Sequence, residues 1–182
     1  TNKNSALAFS LIFKGSDDRI LPILSGIVAV SVAETIEKTY PSYIEIKWPN
    51  DILINRKKVA GILINSSWQG DNHLGTVIGI GINIAPDSVP IDQTLRFPAG
   101  CLEDELKTTV DRWELLREIL AMLTHNLSNV YLPTVLANWD KKLAYKNENI
   151  VLFSQENRVC EGLLLGLDKT GAIRILIEGE GV

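Results

Sequence analysis

The chain has 182 residues, 46% of them apolar and 22% charged, and a formal net charge of −4 at pH 7. A chain of this length can bury the core of one ordinary domain, or of one domain with a small appendage. Its composition argues against disorder. The negative net charge gives no electrostatic basis for binding nucleic acid through this portion of the chain. The two cysteines, Cys101 and Cys160, are too few for a disulfide framework and form no metal-ligand cluster.

The sequence predicts no association with a membrane. Its longest apolar run, from Ile20 to Ala33, is broken by Pro22 and Gly26 and is too short to span a bilayer. The first residues, Thr-Asn-Lys-Asn, lack the basic and apolar segments of a signal peptide. We therefore expect a cytoplasmic protein.

The first 50 residues predict a strand, a helix and a second strand. Ala6–Phe13 is a short apolar run typical of a buried strand. Residues 16–18, Ser-Asp-Asp, offer caps for a helix over about Ile20–Lys38, with Pro22 in its first turn. Tyr43–Lys47 alternates apolar and polar residues, which favours a half-exposed strand that ends before Pro49.

Two hairpins and a loop follow. Strands Asp51–Ile54 and Val59–Ser66 flank a turn at Asn55-Arg56-Lys57, and a second turn at residues 69–72 precedes a strand over Thr76–Ile84. Residues 85–110 hold three prolines and little periodicity, which predicts a long surface loop.

The remaining chain predicts two helices and then short strands. Asp111 opens a helix with one apolar stripe, formed by Leu115, Leu116, Ile119, Leu120, Leu123 and Leu127. A shorter helix is expected over Leu132–Lys142. After Ala144 the period returns to two, with strands at 150–153, 160–165 and 172–177 that turn at Asn157 and at residues 168–171. We expect a small β-barrel packed on the main body.

Two strings of residues suggest a binding site. Residues 47–61, Lys-Trp-Pro-Asn-Asp-Ile-Leu-Ile-Asn-Arg-Lys-Lys-Val-Ala-Gly, place an amide, a carboxylate and a lysine in one apolar hairpin. Buried charges are costly unless they are paired or used. The second string, Gly79-Ile80-Gly81-Ile82-Asn83, has glycines at alternate strand positions, which often mark a close approach of backbone to ligand. Together the strings predict a small-molecule site built on a sheet.

Lys58 is the first candidate for chemistry. It begins an apolar strand, and its expected phase is that of three apolar residues further along: Ala60, Ile62 and Ile64. A lysine held over a sheet face is a fixed positive charge, suited to an oxyanion or phosphate. The alternative is that Arg56, Lys57 and Lys58 are a solvated hairpin tip, as most charge runs are.

The other candidates have structural alternatives of their own. Asn50 and Asp51 follow a proline, so they suit turn formation, but they could also bind a ribose, an amine or a magnesium ion. Gly79 and Gly81 alone are a weak phosphate-loop signal, because a third glycine and a following helix are missing. Cys101 has no nearby histidine, and we interpret it as a plain small residue.

The order and spacing of three strings resemble those of the biotin protein ligases. These strings are Lys47-Trp48-Pro49-Asn50-Asp51, then residues 58–63 (Lys-Val-Ala-Gly-Ile-Leu), then Gly79 to Asn83. Residues 4–10 and 168–171 extend the resemblance over almost the whole chain. It implies an α/β (α+β) fold: a mixed, mainly antiparallel sheet with helices on one face, like the class II synthetases, plus a small C-terminal SH3-like β-barrel. The domains would be 1–144, catalytic, and 145–182, SH3-like.

The resemblance also implies an activity and roles for residues. Such ligases join biotin to ATP as biotinyl-5′-AMP and then transfer biotin to a lysine of a biotin carrier protein of a biotin-dependent carboxylase. Lys58 would be catalytic and would contact biotin together with Leu63, Gly79 and Gly81. The adenylate would be held by Asn50, Asp51 and Asn83. Magnesium would arrive with ATP, with Asp51 as a candidate contact.

Other readings stay open at this point. A lipoate ligase or octanoyl transferase of the same fold shares the lysine, although the Lys-Trp-Pro-Asn-Asp string favours biotin. A non-catalytic sensor of biotin or biotinyl-AMP, such as a repressor with an upstream DNA-binding domain, is a second alternative. A structural fragment that folds with a partner is a third. A homodimer is also left open.

The resemblance implies an upstream segment as well. The family's glycine- and arginine-rich loop, which closes over biotin and its adenylate, would lie just before Thr1, together with other residues of the biotin pocket. We therefore expect the chain to lack the N-terminal part of the catalytic domain. The family's usual last strand would follow the last residue, Val182.

Overall fold

The computed structural model describes residues 5–14, 20–89, 97–128, 131–154, 157–177 and 179. Within this part of the chain, five strands form the main sheet: β1 (Ala6–Phe13), β2 (Glu45–Lys47), β3 (Asp51–Ile54), β4 (Lys57–Gln69) and β5 (Asn72–Asn83). Four α-helices are present: α1 (Leu24–Thr39), α2 (Leu102–Leu106), α3 (Arg112–Ser128) and α4 (Leu132–Lys141). A second sheet contains β6 (Asn149–Ser154), β7 (Asn157–Leu167) and β8 (Ile173–Leu176).

The main sheet has the strand order β1-β5-β4-β3-β2, and each pairing of neighbours in it is antiparallel. Single parallel bridges join Ile46 to Leu143 and Lys58 to Ala99. Helices α1 and α3 contact the strands of this sheet. The predicted α/β class, with a mainly antiparallel sheet and helices on one face, is confirmed.

The two faces of the main sheet differ in burial. On β5, Ile78, Ile80 and Ile82 lie in the core beneath the helices. The alternate residues of β1, β4 and β5 point the other way, and several are apolar and exposed: Ile12 (73%), Leu63 (62%) and Val77 (44%). Because successive side chains of a strand point to opposite faces, this second face is open, and the candidate site lies on it.

Helix α1 begins at Leu24, later than the sequence predicts. Pro22 belongs to a preceding 3-10 turn, Leu21–Ile23, and no side chain among the described residues caps the α-helix. The proposed caps at residues 16–18 lie outside the described residues. Buried residues occur in every turn of α1 through Ile36, and most of them are apolar.

Both predicted hairpins are confirmed, with shifted boundaries. The first turn contains two residues rather than three: Asn55 and Arg56 have φ of 51° and 63°, and Lys57 already pairs with Ile54. Positive φ at both positions is the geometry that matches the twist of a two-residue hairpin. In the second hairpin β5 begins at Asn72, four residues before the predicted start. Strand β2 is limited to Glu45–Lys47, shorter than the predicted 43–47.

The prediction of one long surface loop at 85–110 is wrong in its second half. Cys101 and Leu102 are fully buried, and α2 follows. The cause is pairing with the start of β4, since the Lys58 N–H donates to the Pro98 carbonyl (2.8 Å) and the Gly100 N–H to the Lys58 carbonyl (2.9 Å). Residues 90–96 lie outside the described residues.

The two later helices are confirmed. Oδ1 of Asp111 accepts hydrogen bonds from the backbone N–H groups of Trp113 (2.8 Å) and Glu114 (3.2 Å), which caps α3. The predicted stripe faces the core, with Leu115, Ile119 and Leu123 buried and its other members half-buried. None of the helices in the described ranges is long and apolar enough to cross a membrane.

The C-terminal strands form an antiparallel sheet in the order β6-β7-β8. The described residues do not close it into the predicted barrel. Asn157 is the first residue of β7 rather than a turn residue. The sheet packs on the main body through α4, where the Leu167 N–H donates to Oδ1 of Asp140 (2.8 Å). The predicted packing of a small β unit on the main body is therefore confirmed.

Candidate functional site

A turn at residues 47–50 joins β2 to β3 and carries the first motif residues. It is closed by a hydrogen bond from the Asn50 N–H to the Lys47 carbonyl (3.1 Å), and the Trp48–Pro49 peptide bond is cis. The Ser25 hydroxyl of α1 donates to the Pro49 carbonyl (3.1 Å). Asp51 starts β3 opposite Gly61 of β4. The turn thus brings Asp51 beside the start of β4.

An irregularity in the β3–β4 pairing directs the Lys58 side chain. Leu53 pairs with Lys58 but Ile52 pairs with Ala60, so Val59 is an extra residue on β4. Val59 and Ala60 are consecutive and both buried. The extra residue shifts the alternation of side chains between the two sheet faces by one position. As a result, Lys58 lies on the same open face as Gly61.

The predicted phase of Lys58 is therefore wrong in its detail. Ala60 and Ile62 point into the core, whereas the Lys58 amine lies over the opposite, open face. A bulge of one residue cannot be read from a pattern of period two, and this one re-aims a charged side chain toward a pocket. The prediction that Lys58 lies over a sheet face still holds.

Two lysines surround the Asp51 carboxylate. Nζ of Lys58 lies 2.5 Å from Oδ1, and Nζ of Lys47 lies 3.5 Å from Oδ2. The Asp51 side chain is 14% exposed and that of Lys58 is 42% exposed. With two positive charges and one negative, the cluster carries a net charge of +1, and its most accessible charge is the Lys58 amine. Lys47 also lies 3.9 Å from the centroid of the Phe97 ring.

Gly61 belongs to this cluster, although the sequence analysis assigned it no role. A Cβ atom at this position would lie 3.1 Å from both Cε and Nζ of Lys58 and 3.5 Å from Oδ1 of Asp51. Glycine therefore leaves the room that the ion pair occupies. The sequence contains a signal for this role, because Gly61 follows Lys58 by three residues in the 47–61 string.

The cluster opens into two adjoining pockets on the open face. The larger, of about 580 Å³, contains six of the predicted site residues together with Ser10 and Gly61: Asn50, Asp51, Lys58, Leu63, Gly79 and Gly81. The smaller, of about 370 Å³, contains the seventh, Asn83, with Ser88. Lys58, Gly61 and Gly81 line both pockets, so Lys58 stands where they meet.

The two asparagines use their amide donors on backbone carbonyls. Nδ2 of Asn50 donates to the Ile62 carbonyl (2.6 Å), and the Ile62 N–H donates to the Asn50 carbonyl (3.0 Å). Nδ2 of Asn83 donates to the Gly100 carbonyl (2.9 Å). Asn50 thereby fixes the turn to β4, and Asn83 fixes the segment that pairs with Lys58.

Arg56 and Lys57 are exposed but are not a free solvated tip. Arg56 contacts carboxylate oxygens of Glu148 (2.6 Å) and Glu45 (3.4 Å), and Lys57 contacts Glu105 (2.7 Å). The hydrogen bond to Glu105 raises the pKa of Lys57. Burial opposes ionisation of Glu105, but hydrogen bonds from Lys57 and Asn55 outweigh it and lower the pKa of that carboxyl. Both cations therefore hold the hairpin to neighbouring elements.

Cys101 and His73 do not line the two pockets. Cys101 is fully buried, and this burial raises the pKa of its thiol, which suits a small core residue rather than a nucleophile. His73 hydrogen-bonds to the Thr76 hydroxyl (2.9 Å) in the second hairpin. Across the residues that the structure describes, no group of three or more His, Cys, Asp or Glu side chains could hold a metal ion.

Sequence comparisons show which known proteins this chain is similar to. Residues 1–83 match the model of the biotin/lipoate A/B protein ligase family. The bifunctional ligase/repressor BirA of Bacillus spizizenii is 37% identical over 99 residues, or 54% of this chain and 30% of that protein. The biotin–[acetyl-CoA-carboxylase] ligase of Paracoccus denitrificans is 32% identical over 133 residues, or 70% and 55%. The chain thus spans only part of the length of these relatives.

Solved structures of biotin protein ligases match this chain over nearly its whole length. The biotin protein ligase of Aquifex aeolicus matches with a TM-score of 0.83 at 27% identity, covering 97% of this chain and 77% of that one. Its crystal structure in complex with biotin and ATP matches with a TM-score of 0.82 and covers 73% of that chain. The chain is therefore similar to biotin protein ligases over nearly its whole length, and residues 1–83 match the model of the wider biotin/lipoate ligase family.

Proposed function

We propose that the protein is an ATP-dependent biotin–protein ligase. The observation that carries the proposal is the Lys58 amine, held by Asp51 over a glycine-lined pocket on the open face of the sheet. The family match supports it, as does the likeness to a relative crystallised with biotin and ATP. The activity, substrates and partners described below belong to this proposal.

The first step joins two anions. A biotin carboxylate oxygen attacks the α-phosphorus of ATP, a P–O bond forms, and the bond to the leaving pyrophosphate breaks, which gives biotinyl-5′-AMP. A fixed cation between the carboxylate and the phosphate stabilises the transition state, where negative charge is concentrated. We assign this role to Lys58. Asp51 holds the amine in place through the ion pair.

The pockets suggest where the two substrates lie. Leu63 would be an apolar wall for biotin, and Gly79 and Gly81 would let its flat ring system approach the sheet. Among the described residues, no atom beyond the neighbours of Gly81 in the chain lies within 4 Å of a Cβ built on it, which leaves space for a ligand. Asn50, Asp51 and Asn83 would contact the adenylate. Both asparagines keep a side-chain oxygen for this purpose while the amide nitrogen holds the backbone.

Magnesium is expected as part of the MgATP substrate. Asp51 is the acidic residue that lines the larger pocket, and both of its oxygens already face lysines. One compensated carboxylate does not make a protein-held magnesium site. The ion would instead be carried by the phosphates, which is common because magnesium keeps most of its waters and needs few protein ligands.

In the second step the amine of an acceptor lysine attacks the carbonyl of biotinyl-5′-AMP, an amide bond forms, and AMP leaves with the electron pair of the broken C–O bond. The acceptor would be a biotin carrier protein of a biotin-dependent carboxylase. We assign residues 1–144 to the catalytic domain and 145–182 to the SH3-like domain. A cytoplasmic location and a homodimer remain part of the same hypothesis.

Substrate-dependent exchange of radioactive pyrophosphate into ATP by the full-length protein tests this proposal. We expect exchange that depends on biotin and is absent with lipoate or octanoate. Exchange that depends on lipoate or octanoate instead would assign the protein to the other branch of its family. Tight binding of biotinyl-5′-AMP without any exchange would favour a non-catalytic sensor. Either of these two results would overturn the proposed function.

A further inference from the structure

Trp48 of the 47–50 turn reaches across to the C-terminal sheet. Its indole N–H donates to the carbonyl of Gly171 (3.0 Å), 123 residues further along the chain. Trp48 is half-buried and packs against the core of the main body. A tryptophan N–H in such a setting needs a partner, and here the C-terminal sheet supplies it.

The acceptor carbonyl belongs to a well-braced turn between β7 and β8. Oδ1 of Asp168 accepts hydrogen bonds from the Thr170 N–H (2.7 Å), the Thr170 hydroxyl (2.7 Å) and the Ala172 N–H (3.0 Å). The Asp168 N–H donates to the Ala172 carbonyl (2.8 Å). These bonds give the Asp168–Gly171 turn one defined shape.

Both the backbone conformation and the packing at position 171 favour glycine. Its φ of +85° favours glycine, and a Cβ atom would lie 3.0 Å from Cζ3 of Trp139 and 3.3 Å from Cγ2 of Ile23. The turn is therefore held from inside by Asp168 and from outside by the main body. Its carbonyl presents a fixed acceptor to Trp48.

The donor of this hydrogen bond, Trp48, lies next to the candidate site in the chain. Trp48 is a central residue of the turn that precedes Asn50 and Asp51, and Asn50 ties that turn to Ile62 of β4. Asp51 holds the Lys58 amine at 2.5 Å. Two hydrogen bonds, from Ser25 and to Gly171, join this turn to elements outside the main sheet.

We propose that the Asp168–Gly171 turn positions the nucleotide side of the site through Trp48. Trp48 and Asp168 would then be positioning residues: neither touches a substrate, and both fix the segment that carries Asn50 and Asp51. This inference rests on the proposed function. It makes the C-terminal sheet part of the site's framework.

The test compares tryptophan-to-phenylalanine variants of the full-length protein. Trp48→Phe keeps an aromatic ring but deletes the N–H, whereas Trp113→Phe makes the same change at a side chain that is 64% exposed and serves as the control. For Trp48→Phe we expect about a tenfold higher KM for ATP in biotin-dependent pyrophosphate exchange, because one part-buried hydrogen bond is lost. The KM for biotin should change less than threefold, and kcat should fall far less than in Asp51→Asn, because the ion pair between Asp51 and Lys58 keeps both of its groups. Trp113→Phe should leave all three unchanged.

A second pair of variants changes the turn that holds the acceptor of this hydrogen bond. Asp168→Ala removes the acceptor that braces the turn and leaves Trp48 intact, so it should raise the KM for ATP as Trp48→Phe does. Asp168→Asn keeps the Oδ1 acceptor and should restore a value near that of the wild type. A rise in the Asn variant equal to that in the Ala variant would contradict the proposed bracing.

Hydrogen–deuterium exchange separates this inference from the proposed function. Trp48→Phe and Asp168→Ala should both speed amide exchange in residues 50–53 and leave α3 unchanged. If the wild type shows no biotin-dependent activity, the proposed function fails while this measurement still decides the positioning. Unchanged amide exchange at 50–53 in both variants would overturn the inference, as would a lowered melting temperature with an unchanged KM for ATP.

Discussion

The Lys58 amine and the Asp51 carboxylate form an ion pair of 2.5 Å at the point where two pockets of the open sheet face meet. The carboxylate is the less exposed partner, and the amine is the more accessible one. The extra residue Val59 on β4 makes the pair possible, because it turns Lys58 away from the core. A strand irregularity thus converts an ordinary hairpin lysine into a candidate catalytic cation.

Substitutions of Asp51 and Asn50 should differ in how much they lower the free energy of unfolding. Asp51→Asn removes the charge that holds Lys58, and misplacing a catalytic group by about 1 Å can cost on the order of 10²-fold in rate. Its effect on stability should be small, since part-exposed ion pairs contribute about 0–1 kcal/mol. Asn50→Ala should also slow exchange, since Asn50 is assigned to the adenylate, but unlike Asp51→Asn it should lower the free energy of unfolding by about 1 kcal/mol, because the Ile62 carbonyl loses its donor. Urea unfolding and pyrophosphate exchange on both variants provide the comparison. Equal losses of stability would contradict this assignment.

Two glycines of the pocket should respond differently to alanine. Gly61→Ala places a methyl group 3.1 Å from the Lys58 amine, so the flexible lysine must move and kcat for exchange should fall. The methyl group of Gly81→Ala meets no atom of the described residues within 4 Å, so folding and kcat should be kept while the KM for biotin rises. Steady-state kinetics with varied biotin measure both. A Gly61→Ala variant with wild-type kcat would show that the pair tolerates displacement.

The sequence predicted most elements of this fold, and its errors have physical causes. The stripe of α3 and the alternation on β5 are periodic patterns, so Ile78 and Leu115 could be placed in the core. The reset at Val59 and the two-residue turn at Asn55-Arg56 depend on backbone register, which such patterns do not record. The burial of Cys101 depends on pairing between Lys58 and the 98–100 segment, a contact across 40 residues.

The roles assigned to the site residues stay predictions, but the structure shows which of these residues lie together and which have distant partners. Lys58, Asp51 and the glycines of the second string share pockets, as their motifs suggested. The partners of Arg56 and Lys57 lie far along the chain, at Glu148 and Glu105. The role of Trp48 depends on a carbonyl 123 residues away, which no local pattern could indicate.

The Lys57–Glu105 pair predicts a pH dependence of stability. The pKa of Glu105 is lowered from an ordinary value of 4.5, so its contribution is present above pH 4.5 and is lost as the pH falls through the folded-state pKa. The difference in unfolding free energy between the wild type and Glu105→Gln should therefore be widest near neutral pH and should close in acid. Urea unfolding between pH 3 and 7 measures it. Glu114→Gln, at a carboxylate that is 54% exposed, is the control for loss of one surface charge. A flat difference for Glu105→Gln would contradict the account.

Biotin-dependent pyrophosphate exchange by Lys58→Ala and Lys57→Ala is the most direct test of the proposed mechanism. These neighbouring lysines have similar exposure, 42% and 47%, but only Lys58 lines the pockets. Loss of a positioned charge at a transition state typically costs on the order of 10²–10³ in rate, which is the loss we expect for Lys58→Ala. Lys57→Ala should change the rate by less than about tenfold, a bound set by the modest worth of its surface ion pair. Similar rates for the two variants would show that Lys58 is a surface charge and would contradict the assignment.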